Sequence, residues 1–169
     1  MASDIVKHFE TLKTQLKDGK TVKYYNHAKL YEAECIFREP ATQQQIDDFK
    51  KRTNWNLPKQ YEELLLYTNG VVLFRDEYGA GFEISGLDEI ELDHFDPMPS
   101  NWIPVVACVS IGDYIFFDSD QVESGSNYLI WHNHEQYYDE PTLRFTIDFA
   151  TWLERLIITR GAWFWEWKN

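Results

Sequence analysis

Basic residues are scarce in this 169-residue chain, where 16 Lys and Arg face 28 Asp and Glu for a formal net charge of −12. That balance repels the phosphate backbone of nucleic acids and the anionic inner surface of a membrane, and no local basic patch interrupts it. Direct binding to nucleic acid or membrane is therefore not expected. Long apolar runs are also missing: no uninterrupted stretch approaches the ~20 residues that cross a bilayer. The first twenty residues carry Asp4, Lys7, Glu10, Lys13 and Lys17 among their apolar positions, which breaks up a signal-peptide core and points to the cytoplasm.

Cysteine is reduced to Cys35 and Cys108. Each lies in an apolar stretch, where free Cys commonly serves as a small buried hydrophobe, so no disulfide is expected. Glycine forms one tight cluster, Gly79-Ala80-Gly81, which reads as a strand-linking turn between Tyr78 and Phe82. No Walker loop, dinucleotide fingerprint or Gly-flanked nucleophile elbow is present, and Cys108 sits inside an apolar strand. Nothing in the pattern calls for a cofactor.

What the chain has in quantity is apolar and aromatic surface, 44% and 17% of residues, with seven Trp. This is ample to offset the entropy of ordering one domain of this length. Ser3 reads as the cap of a helix over 3–18, with Ile5, Phe9, Leu12 and Leu16 close to one face and Gly19 as the stop. The stretch from Tyr24 to Phe37 lacks clean periodicity and reads as loop with a strand near Cys35. Thr42 and Gln45 form a capping box for a short helix through Ile46 and Phe49 to about Thr53. Pro58 opens another helix, with Tyr61, Leu64, Leu65 and Thr68 at helical spacing and Asn69-Gly70 as its stop.

Short apolar runs separated by turn residues then predict strands at 71–74, 82–84, 103–109, 114–117 and 128–131, forming one mostly antiparallel sheet. Ser110 to Asp113 reads as a hairpin, and Asp96-Pro97-Met98-Pro99-Ser100 as the most linker-like segment. Thr146 is the expected cap of a last helix carrying Phe149, Trp152, Leu153, Leu156 and Ile157, closed by Arg160-Gly161. Trp163, Trp165 and Trp167 follow at period two, as on one face of an extended segment.

Leu57-Pro58, Tyr61, Leu64-Leu65 and Asn69-Gly70, then Ile103-Pro104-Val105, Gly112-Asp113-Tyr114, Asp118 and the helix entered through Phe145 to Phe149, together resemble the SUKH superfamily, also called the SMI/KNR family. The resemblance spans about residues 40–160 and leaves the N-terminal helix and the Trp-rich tail over 162–169 outside it. It implies a single α+β domain, with helices packed on one side of a mostly antiparallel sheet. It also implies, in bacteria, an immunity protein that binds and neutralises a cognate toxin, often a nuclease. Fungal members act instead as scaffolds in cell-wall and signalling pathways. The family brings no catalytic residues and no cofactor.

The residues leave several readings open. Asp88, Glu89, Glu91, Asp93 and Asp96 form the densest acidic stretch, with Asp76 and Glu77 upstream. They read either as a solvated loop or as a phosphate-mimicking surface for the basic cleft of a toxin. Trp163, Trp165 and Trp167 are partner anchors, a weak self-association surface, or aromatics packed back on the body. His132 and His134, with Glu135 or Asp139, read as a metal-assisted hydrolytic site or as a polar strand end; no third His or Cys stands at ligand spacing, so no metal is assigned.

Overall fold

The computed structural model describes residues 4–26 and 28–167. Ser3 lies outside them, so the proposed first cap is not described. Helix α1 (Asp4–Thr14) stops four residues short of the expected end, because Gln15 and Leu16 close it with short-range bonds back to Leu12 and Lys13. The expected loop over Tyr24 to Phe37 is instead a hairpin of β1 (Thr21–Asn26) and β2 (Lys29–Phe37), paired without interruption from Thr21↔Glu34 to Asn26↔Lys29. Val22, Ala33 and Cys35 point into the core, which is a period-two pattern. Apolar residues on the other face, Tyr25, Leu30 and Ile36, blur that pattern.

Helix α2 (Gln43–Thr53) carries the capping box as read: Gln45 donates its amide to the Thr42 hydroxyl at 3.2 Å, and the Thr42 amide donates to the Gln45 side chain at 2.8 Å. Helix α3 (Lys59–Tyr67) starts after Pro58. It ends one residue earlier than the spacing suggested, with Thr68 in extended conformation. Strands β3 (Val71–Arg75) and β4 (Phe82–Ile84) flank the glycine turn, and β5 (Trp102–Cys108), β6 (Asp113–Asp118), β7 (Leu129–His132) and β8 (Leu143–Arg144) continue the sheet. The acidic stretch expected as loop contains helix α4 (Leu87–Asp93), and the linker-like segment after it folds back so that Met98 is buried.

Among the described residues the sheet has eight strands in sequential order, every neighbouring pair antiparallel. A register shift between Pro104 and Val106 turns Val105 and Val106 both toward the core. One continuous core joins the inward faces of the strands to all five α-helices, including Phe9, Phe49, Tyr61, Ile90 and Trp152. The opposite face carries a small second cluster of Met98, Trp102, Phe116 and Ile130, with Tyr114 and Tyr138 against it. This is the expected α+β arrangement.

Helix α5 (Phe149–Ile158) is capped by Asp148, not Thr146: the Thr151 amide donates to Asp148 Oδ1 at 2.8 Å. The Tyr128 hydroxyl adds a tertiary cap by accepting from the Phe149 amide at 2.9 Å. The tail is not extended. Phe164–Glu166 forms a 3₁₀ turn, with Glu166 and Trp167 donating back to Trp163 and Phe164.

Candidate functional site

Helix α4 collects most of the acidic residues singled out from the sequence, and its geometry decides which of them face solvent. It starts at Gly86, whose amide donates to Glu89 Oε2 at 2.9 Å, and the Leu87 amide is capped by Asn69 Oδ1 at 2.9 Å. Asn69 therefore begins α4 as well as following α3. Glu89 is further held by an ion pair with Arg38, and Glu91 by a two-pronged pair with Arg52 at 2.7 and 3.3 Å. Asp93 is half-buried 3.4 Å from the Ser85 hydroxyl. Burial holds its carboxyl above the ordinary value, with Glu89 and Glu83 pushing the same way. Asp88 and Asp96 are exposed, as is Glu91 beside its arginine.

Asp76 and Glu77 are not part of this group. β3 and β4 pair from Val71↔Ile84 to Leu73↔Phe82, so the turn at Asp76 and the start of α4 lie at opposite ends of that hairpin. Asp76 stiffens the turn by accepting from the amides of Tyr78 and Ala80 at 2.9 and 3.0 Å, and Glu77 is exposed.

The tail tryptophans divide. Trp163 and Trp165 lie 5.1 Å apart by ring centroid and pack on Phe82 and Trp131, and Trp165 also meets Phe145 and Trp152. Trp167 stays 64% exposed.

Asp113 and Asp118, two of the residues that carry the family resemblance, are buried junctions at the ends of β6. Asp113 accepts from Trp131 Nε1 at 3.0 Å and from the His134 amide at 2.9 Å, with His134 Nδ1 at 2.7 Å. Asp118 accepts from Asn101 Nδ2 and Arg144 Nη1, both at 2.9 Å. These partners come from other strands and loops, so neither carboxylate is offered to solvent.

His132 and His134 have separate surroundings. His134 turns to Asp113, while His132 is buried under Tyr138, stacked at 4.3 Å, with Nε2 3.3 Å from the Gln136 carbonyl and Nδ1 without a partner. Among the described residues, no three or more His, Cys, Asp or Glu gather as a metal site. Cys35 and Cys108 are free and buried, and burial raises both thiols, which opposes the thiolate a nucleophile needs.

Burial also lowers the pKa of His132 from its ordinary 6.5, the Gln136 and Glu140 carbonyls and the charges of Asp113 and Asp139 acting against that shift. The unfolded chain therefore takes this proton first as pH falls through 6.5. The stabilising contribution of neutral His132 is complete above that value and is lost as pH drops toward the lower folded-state pKa. Thermal melts between about pH 7.5 and 5.5 should show stability falling with pH, with a shallower slope in His132→Phe. Equal slopes in the two proteins would remove His132 from the acid response.

Among the described residues, a single antiparallel sheet with the helices packed on one face defines an α+β domain. The chain belongs to the SMI1 / KNR4 family (SUKH-1), whose model matches residues 40–155. It is similar to two Bacillus subtilis (strain 168) proteins, both described as uncharacterized. YnaB is 24% identical over 131 residues, covering 77% of this chain and 85% of its own length. YobM is 26% identical over 181 residues, covering 99% and 94%. Among the described residues, no helix is long and apolar enough to cross a membrane.

Proposed function

We propose that the protein is a bacterial immunity protein of the cytoplasm, which neutralises a cognate toxin by binding it and performs no catalysis. Family membership supports the class, and the two Bacillus relatives favour the bacterial branch over the fungal scaffolds. The observation that carries the partner's chemistry is charge: a chain of net charge −12 keeps Glu77, Asp88 and Asp96 exposed, while its few cations are partly spent on Glu34, Glu89, Glu91 and Asp118. Such a surface favours a basic partner such as a nuclease domain, and sets on-rate and specificity more than raw affinity.

Affinity capture from cells carrying the native neighbouring genes tests this reading. One basic toxin domain, held tightly at equal stoichiometry, is the expected result; several unrelated proteins held weakly would point to a scaffold. For the captured complex, association should slow by roughly tenfold or more as ionic strength rises from about 0.01 to 0.15 M, because the screening length shrinks from about 30 to 8 Å. Stopped-flow rates that stay flat would end the electrostatic account while leaving binding intact.

A further inference from the structure

The nine-residue strand β2 is paired with β1 from Lys29 to Glu34, yet β3 joins it only from Glu34, opposite Arg75. Lys29–Ala33 therefore have a neighbouring strand on one side alone. The Cys35 amide donates to Lys20 on the β1 side at 2.8 Å. Backbone groups alternate sides along a strand, so Leu30 and Glu32 turn theirs the other way, toward the open side. That side is a hollow of about 740 Å³ between the free half of β2 and the turn at Asp76–Tyr78. Five residues of free edge span about 17 Å, enough for a short added strand.

We infer that this groove takes an extended, basic segment of a partner protein as an added strand. An unpaired strand edge is a template for main-chain hydrogen bonding, with alternate side chains read by the walls. The open β2 edge is walled by that turn, and the wall is held in shape by the bonds of Asp76 to Tyr78 and Ala80. Of the groove's charges, Arg75 is answered by Glu34 at 2.9 Å and Glu32 by Lys23 at 3.3 Å. Of the charges left in the groove's lining, Asp76 and Glu77 outnumber Lys29, which favours a cationic occupant. Leu30 and Tyr78, 49% and 84% exposed, supply apolar contact for residues between the charges.

The inference rests on the binding-protein reading, and its test separates the two. The probe is a blocked seven-residue peptide alternating Lys and Val, titrated into the full chain by NMR. Binding should slow exchange of the Leu30 and Glu32 amides, and should weaken by about tenfold or more when alternate peptide amides are methylated or when Glu77→Lys is introduced. Equal binding of the methylated peptide, stronger binding of a Glu-Val counterpart, or no binding would each overturn strand addition. In the cellular capture, a partner held equally by wild type and Glu77→Lys would overturn the groove while the immunity reading stands. If wild type captures no partner the immunity reading fails, and the peptide titration still decides the groove.

Discussion

Asp113→Ala should destabilise the fold by about 3–4 kcal/mol, lowering the melting midpoint by roughly 6–16 °C for a chain of this size. Asp113 has no exposed surface, and both of its oxygens are used. Removing the carboxylate strands the indole N–H of buried Trp131 and takes away the acceptor of the His134 backbone N–H. Unmade buried bonds of this kind cost more than the net value of made ones. The loop after β7 loses its anchor at the same time, and that loop carries Tyr138 onto His132. Asp113→Asn keeps the volume but turns an amide toward donors, so it should cost less, about 1–2 kcal/mol. Calorimetry on both variants, with Trp131→Phe to close a double-mutant cycle, measures the coupling. A loss below about 1 kcal/mol for Asp113→Ala would remove this junction from the account of the fold.

The parts of the fold that were legible in the sequence have local causes. Thr42 and Gln45 stand three residues apart and satisfy each other, and the apolar stripe of α5 is visible without knowledge of what it packs on. The parts that were missed depend on partners far along the chain. Helix α4 has glycine at its cap, and the side chain that completes its start belongs to Asn69, eighteen residues earlier. Thr146 and Asp148 are both good cap types. The choice falls to Asp148, whose register also lets Tyr128 receive the Phe149 amide. The β1–β2 hairpin was obscured because it lies at the sheet edge, where outward residues such as Tyr25 and Leu30 need not be polar. The tryptophans at period two suggested a strand, but their backbone bonds close within the tail and the indoles stack on one another.

The surface was legible as a composition and not as a map. An excess of acid predicts the sign of a partner, while only the fold shows that Glu89 and Glu91 are tied to Arg38 and Arg52 and that Asp76 and Asp88 lie at opposite ends of a hairpin. The free half-edge of β2 has no sequence signal of its own. It follows from β3 being shorter than β2, combined with a turn that leaves room beside the longer strand.

Gly86→Val should destabilise by about 3 kcal/mol through steric overlap, a fall of roughly 6–12 °C in the melting midpoint. A Cβ at Gly86 would stand 2.5 Å from the Asn69 carbonyl oxygen, 2.8 Å from its Oδ1 and 3.0 Å from its carbonyl carbon. Two of those atoms are backbone and cannot swing aside. The Asn69 main chain is itself held by the hydrogen bond its amide donates to the Glu39 carbonyl at 3.0 Å. The approach is mutual: a Cβ on Gly70, at φ +96°, would meet the Gly86 nitrogen at 2.9 Å and the Ile84 oxygen at 3.1 Å. Asn69-Gly70 is thus the place where the chain leaving α3 crosses the start of α4, with no room for a Cβ at Gly70 or Gly86, a tighter requirement than stopping a helix. Asn69→Ala removes the cap on Leu87 and one of the three clashing atoms, so its cost and that of Gly86→Val should combine to less than their sum. Hydrogen exchange should show the damage first at the amides of Leu87 and Ile90, since α4 must shift to relieve the overlap. A Gly86→Val protein melting within about 2 °C of wild type would mean that this crossing is not close-packed in solution.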